Sequence, residues 1–254
     1  MKVNGVVPEW RYPVSTERDF SRSINSVIDK MIIRMQTNLQ PMKFDADEEQ
    51  IQAAESDLET YADILIAALI ASLPSIAYTI YKFNTKQWLR VAKGAGGAKN
   101  PAVMLIGILS ERSEPWYMPQ VNLWQGQAKT SIKKLVMNVV ADYTAQLRNQ
   151  SAINTPKPEV EKILKQRYKV YTSWGTNRAV GIIGTFNSRL MRERLKEAGV
   201  TKYIWRGVMD ERERESHVRR EGKVLDLNST DIFPAEEYGC RCWAVPYFNK
   251  ETNK

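Results

Sequence analysis

Residues 203–247 read YIWRGVMDERERESHVRREGKVLDLNSTDIFPAEEYGCRCWAVPY. Within them Tyr203–Val208 (YIWRGV), Lys223–Leu227 (KVLDL) and Cys240–Tyr247 (CRCWAVPY) are short apolar runs rich in aromatic and β-branched residues, separated by Gly, Asn, Asp and Pro. Such runs predict short strands. Between the first two, Glu211–Arg220 predicts a short and densely charged helix. Two or three strands and one short helix have little core of their own, so the element must pack on preceding helices or hold a metal.

What precedes it reads helical. A helix from near Thr176 should stop at Gly199, a natural C-terminal cap. Asn154-Thr155-Pro156 is a start signal for a separate helix reaching about Tyr171. Upstream again, Ala128–Arg148 carries Ile132, Leu135, Val136, Val139, Val140 and Tyr143 on one stripe, with Lys129, Lys133 and Lys134 beside it. Residues 111–127, with two prolines, two tryptophans and Gly126, predict a boundary between two halves. In the first half a helix runs from a Thr16 cap to about Leu39, with Ile24, Ile28, Met31 and Met35 at three- and four-residue steps, and Pro41 ends it. An acidic stretch from Asp45 to Asp63 leads into Ile64–Tyr81, a run without a charge. Its length reaches the lower bound for a membrane span. Pro74, Ser72, Ser75, Thr79 and the many alanines favour a buried core helix instead.

The fold class expected is therefore mainly α: a helical body with a small C-terminal α+β element of two or three short strands. Three regions are expected along the chain. They are a helical region at 1–115, a second helical region at 116–200, and the tail at 201–254.

Composition is that of an ordinary globular protein, with 43% hydrophobic and 26% charged residues. Seven Trp and eleven Tyr suffice for a packed core. Met1–Arg11 has no apolar stretch of the kind a secretory signal needs, and two cysteines point to a reducing cytoplasm rather than a disulfide scaffold. Lys93–Pro101 (KGAGGAKNP) is a loop by composition, but it lacks the Gly-Lys-Ser/Thr of a phosphate-binding loop. Asp45-Ala-Asp47 opens like a calcium loop and then has Gln50 where the turn needs Gly.

Net charge is +8, unevenly spread. Residues 1–150 hold 17 basic against 15 acidic residues, and residues 157–206 hold 12 against 4. A block of that kind attracts polyanions, and nucleic-acid phosphates are the commonest in a cytoplasm. Lys165, Arg167, Lys169, Arg178, Arg189, Arg192, Arg194 and Lys196 are its candidate DNA contacts. The alternative is a solvated helix face with no partner.

The tail also carries an ordered set of residues. Trp205 is followed by Asp210-Glu-Arg212-Glu-Arg214-Glu-Ser-His217, then Gly222, Pro234, and Cys240-Arg241-Cys242. This order resembles the C-terminal signature of the phage head morphogenesis family, the minor head proteins similar to protein F of phage Mu. That signature runs from a Trp-containing strand through Asp-x-Arg-x-Arg-x-x-His, a Gly and a Pro to a closing Cys-Arg-Cys. Asn177–Thr185 and Ala198-Gly199-Val200 extend the resemblance upstream, so that it covers about residues 120–246. Family members carry an Ile-Ala-Arg-Thr-Glu-like run in that helix, where this chain has Gly184 and Phe186 in place of the Arg and the Glu.

The resemblance implies a non-enzymatic structural protein present in few copies inside the capsid near the portal vertex. It would assist head assembly and DNA packaging or ejection, after a period in the host cytoplasm. Implied partners are the portal protein, packaged double-stranded DNA, and a major capsid or scaffold protein, with no membrane.

In the signature itself, Asp210, His217, Cys240 and Cys242 could supply four ligands to zinc. Against zinc, Cys-x-Cys is tighter than the usual knuckle, and the other readings are a reduced buried pair or a strained disulfide. The expectation is convergence of these four residues without a metal, the cysteines packed against Trp205 or Trp243. The arginines of 210–221 are read as paired with Glu211, Glu213, Glu215 and Glu221 along an exposed helix. Two rival functions remain. One is a metal-dependent nuclease or toxin-like enzyme using Asp210, His217 and nearby Glu residues. The other is a membrane-active ejection protein using Ile64–Tyr81.

Overall fold

A computed structural model describes residues 7–39, 48–106, 114–152, 157–229 and 231–248. In chain order its elements are α1 (Val14–Leu39), α2 (Glu48–Ala71), α3 (Leu73–Gly96), α4 (Pro101–Ile106), α5 (Tyr117–Ala152), α6 (Lys157–Glu197), β1 (Lys202–Arg206), α7 (Glu215–Val218), β2 (Val224–Asp226) and β3 (Trp243–Pro246). The protein is mainly α, with one small three-stranded antiparallel sheet near the C-terminus, as the residues predict. The Pro41 stop, the Asp45-Ala-Asp47 segment and the Asn154-Thr155-Pro156 cap lie outside the described residues.

Three boundaries differ from expectation. The uncharged run Ile64–Tyr81 is two helices broken at Ser72, whose hydroxyl donates to the Leu69 carbonyl at 2.6 Å. Ile66, Leu69, Leu73, Ala77 and Ile80 are buried, while Ala67, Ala68, Ala71, Ser72, Pro74 and Ser75 face outward together with Ile64 and Tyr78. By length and composition alone, the stretch Gln52–Gly96 contains a window apolar enough to cross a membrane. Residues 117–127, expected to belong to a boundary, instead open α5, because a proline in the first turn of a helix removes no bond that the helix would have made. The break expected between Tyr171 and Thr176 is absent, and α6 runs unbroken for 41 residues.

Nor do the compact units follow the three contiguous regions expected. One unit comprises 17–73 and 125–180, the other 1–16, 74–124 and 181–254. Long helices bring distant sequence together, so linear division misses them.

In the first unit four helical segments surround a common core, and polar pairs fix their neighbour order. Arg34 of α1 grips Asp57 of α2, Lys133 of α5 meets Asp63 of α2 at 3.1 Å, Arg167 of α6 bonds Asp142 of α5 at 2.6 Å, and the Tyr168 hydroxyl of α6 donates to Asp29 of α1 at 2.7 Å. Burial works to raise Asp142, but the Tyr171 hydroxyl and the Arg167 guanidinium outweigh it and hold the carboxyl below its usual range. The predicted stripes are the buried ones: Ile24, Ile28, Met31 and Met35 in α1, and Ile132, Leu135, Val136, Val139 and Tyr143 in α5. Gly175 lies inside the unbroken α6 where α1 packs close: a Cβ there would stand 2.9 Å from the Ile28 Cδ1 and 3.2 Å from the Ile24 Cγ2, besides striking Asn25. It permits close approach of α1 and is no helix end. Gly175→Ala should therefore destabilise the fold by about 1–3 kcal/mol by overpacking, despite alanine's better helix propensity. Denaturant unfolding measures this, and an unchanged midpoint would contradict the close approach.

In the second unit the tail shares its core with the helices. Trp205, Tyr203, Leu227, Phe233, Cys240, Cys242, Trp243 and Val245 cluster with Trp88 and Val91 of α3 and with Met191 and Leu195 of α6. Helix α6 ends in a left-handed Gly199 (φ 66°), and the Val200 amide bonds the Leu195 carbonyl, turning the chain straight into β1. β1 is the central strand, antiparallel to both β2 and β3, with Tyr203 opposite Leu225 and Trp205 opposite Ala244.

Candidate functional site

The chain from β1 to β3 makes two excursions that meet on one side of Trp205. The first descends through Asp210–Arg214 into α7 and delivers Glu213 and His217. The second passes Phe233, Pro234 and the left-handed Ala235 (φ 63°), fixed to α6 by the Ser188 hydroxyl donating to the Pro234 carbonyl at 2.8 Å. It delivers Glu237, Cys240 and Cys242. Gly222 (φ 73°) makes the tight return into β2, a left-handed turn that suits glycine.

At the meeting point His217 is 1% exposed and its ring lies 5.2 Å from the Trp205 ring. Its Nδ1 is 3.5 Å from Cys242 Sγ, 3.7 Å from Cys240 Sγ and 3.1 Å from Glu213 Oε1. Its Nε2 is 2.6 Å from Glu237 Oε2. The Cys242 thiol donates to Glu213 Oε1 at 3.2 Å, and the Cys242 amide donates to Cys240 Sγ at 3.4 Å. Its pairing with Cys242, through side chain and amide, with the His217 ring assisting, holds Cys240 down at about 6 against the burial that opposes it. The same thiol pairing, then burial and Glu213, pushes Cys242 far above the ordinary thiol range.

Three of the four expected ligands therefore converge. The fourth, Asp210, does not. It is exposed and bonds the Arg212 amide at 3.0 Å and the Arg212 guanidinium at 2.6 Å, which hold its carboxyl below the usual range. Glu213 occupies the place assigned to it, and sequence reading missed both Glu213 and Glu237. Spacing alone does not separate them: Glu213 stands four residues before His217 and Asp210 seven, both same-face spacings on a helix, but α7 begins only at Glu215. Glu213 faces the thiols and not an arginine. Of the expected pairs, Arg219 meets Glu215 at 3.5 Å in the open; Glu221 is met instead by Arg206, outside the expected set, at 3.1 Å, and Arg214 donates to the Tyr238 carbonyl at 2.7 Å. Arg241 lies over the Tyr12 ring at 3.5 Å.

The expected DNA contacts divide sharply. Arg194 is not on an exposed face at all. It is 1% exposed, bonded to Glu114 at 2.9 Å, to Asn84 at 2.9 Å and to Thr85 at 2.7 Å, with its guanidinium 4.8 Å over the Tyr81 ring. Arg192 donates to the Leu227 carbonyl at 3.1 Å and lies over the Phe233 ring, and Arg189, half-buried, is lowered by that burial. Arg167 is held by Asp142, and Lys196 pairs with Glu193 at 2.8 Å. Arg178 is half-buried, while Lys165 and Lys169 are exposed on α6, on the same face as the exposed Lys162. Packing claims the arginines that sequence alone makes look free.

Residues 159–245 match the model of a family described as phage Mu protein F like protein. The match falls on α6 and the tail, and it bears out the resemblance to phage head morphogenesis proteins over those residues. Where the family-like run would carry Arg and Glu, Gly184 packs close to the Tyr12 hydroxyl and Phe186 stacks on Trp124 at 4.5 Å. An uncharacterized protein of Haemophilus influenzae is 26% identical over 121 residues, covering 44% of this chain and 27% of that protein. The chain thus spans about a quarter of that relative's length. No solved structure matches.

Proposed function

We propose that this chain, whose residues 159–245 match the phage Mu protein F-like family, is a non-enzymatic structural protein of phage head morphogenesis. In this reading it sits in few copies inside the capsid near the portal vertex, bound to the portal protein and facing packaged DNA, and it reaches the virion from the host cytoplasm. The family match carries the reading. The site supports it, since His217, Cys240 and Cys242 are buried inside the element they hold together and a nucleic-acid strand has no route to them. A buried cluster of this kind suits a fold-stabilising role and not a nuclease.

Purified heads test the assignment. Mass spectrometry should find the chain at a small fraction of the major capsid protein's abundance, and heads assembled without it should package or eject DNA poorly. Its absence from heads would overturn the reading.

The DNA-facing role falls to the lysine face of α6. Duplex binding by the full chain should be independent of sequence and weaken steeply with salt. Changing Lys162, Lys165 and Lys169 together to Ala should flatten the slope of log K against log salt by about 0.9 for each phosphate no longer neutralised. A slope unchanged by the triple substitution would remove this face from the interface.

A further inference from the structure

We propose that Glu213, His217, Cys240 and Cys242 form a structural zinc site, with Glu237 positioning the imidazole from its far side.

Four electron-rich atoms face one another here: two sulfurs, an imidazole nitrogen and a carboxylate oxygen. The donor atoms of His217, Cys240 and Cys242 all lie within 4.8 Å of one another. Tetrahedral zinc with Zn–S about 2.3 Å and Zn–N or Zn–O about 2.0–2.1 Å sets S···N and S···O edges of about 3.5 Å and an N···O edge of about 3.3 Å. The spacings observed are 3.5 and 3.7 Å for S···N, 3.2 Å for S···O and 3.1 Å for N···O. These four edges lie within a few tenths of an ångström of those zinc would set; His217, Cys240 and Cys242 are the mutually close core, and Glu213 Oε1 joins it through Nδ1 and Cys242 Sγ.

The surroundings match a metal site in two further respects. Glu237 Oε2 stands 2.6 Å from Nε2 and orients the ring; with the imidazole proton on Nε2, Nδ1 would turn its lone pair to the sulfurs, as in histidines backed by carboxylates at metal sites. The Cys242 amide donates to Cys240 Sγ, a bond that favours a thiolate. Two thiolates and an imidazole select zinc over hard cations. On binding, whatever protons the two thiols still hold are released to solvent. The ligands come from two excursions of the chain, Glu213-x3-His217 and Cys240-x-Cys242, so the metal would close the tail on itself.

Elemental analysis of the full-length protein purified under reducing conditions should give one zinc per chain. Exchange into cobalt(II) should give the intense visible bands of a tetrahedral site and a thiolate charge-transfer band. Cys242→Ser should abolish both signals, Glu213→Gln should weaken binding, and Asp210→Asn should change nothing. Glu237→Gln should keep the stoichiometry and lower affinity by about 10–100-fold. Protein without zinc that also fails to develop the cobalt bands would overturn the proposal, as would a Cys240–Cys242 disulfide in freshly purified protein. If Cys242→Ser does not fold, the cobalt titration of the unaltered chain decides the matter alone.

Discussion

Arg194→Ala should destabilise the protein by about 3–5 kcal/mol, the cost of leaving one partner of a buried ion pair alone. The side chains of Arg194 and Glu114 are 0% and 1% exposed, so removing the guanidinium strands a carboxylate where water cannot reach it. The damage extends further, since Asn84 and Thr85 also lose the donor they accept from, and the Tyr81 and Trp116 rings lose the cation above them. Chemical denaturation followed by helical circular dichroism measures the effect. Two controls give it meaning. Lys165→Ala, on the exposed face of the same helix, should stay within about 0.5 kcal/mol of the parent. Arg194→Met combined with Glu114→Leu should recover much of the stability, because an apolar pair of similar volume carries no stranded charge. An Arg194→Ala midpoint equal to that of Lys165→Ala would mean that the pair is not buried.

Trp205→Ala should cost about 3–5 kcal/mol, the usual range for emptying a fully buried aromatic site. Trp205 is 0% exposed, lies in the central strand of the sheet, and forms the wall against which the His217 ring stands. The cavity would open beside the Glu213–His217–Cys242 cluster, so the loss should appear first as reactive Cys240 and Cys242 thiols. Thiol labelling in native buffer, compared with global unfolding, separates these events. Trp205→Phe should retain most of the stability and keep the thiols protected. Slow labelling in Trp205→Ala would show that the cluster does not lean on the tryptophan.

Much of this was legible in the sequence, for physical reasons that can be assigned residue by residue. Regular helices announce themselves through burial period, and the stripes Ile24–Met35 and Ile132–Tyr143 are the stripes that pack. The tail was readable because strand, turn and signature residues stand in order over a short span, and Gly199 ends α6 where its backbone freedom is needed. What escaped was a set of residues whose roles depend on partners far away in the chain. Arg194 falls on the stripe Ile183, Asn187, Leu190, Arg194, and every member of it is buried, but its partner Glu114 is 80 residues distant and no local pattern reveals it. The break expected between Tyr171 and Thr176 is absent, and Gly175 within it is pressed by α1, a helix that begins at Val14. Asp210 and Glu213 are interchangeable as chemistry, and only the turn that leads into α7 decides which faces the thiols.

The strand order β2-β1-β3 also bears on synthesis. The central strand leaves the ribosome first, its neighbour β2 follows within about twenty residues, but β3 lies beyond residue 242. Until then one edge of β1 has unpaired amides and carbonyls, Trp205 lacks part of its cover, and His217 waits for both sulfurs. Non-local pairing of this kind is slow and leaves a nascent chain exposed to misassociation. A ribosome stalling, or a nonsense codon falling, between residues 207 and 242 would therefore release a chain with an adhesive edge.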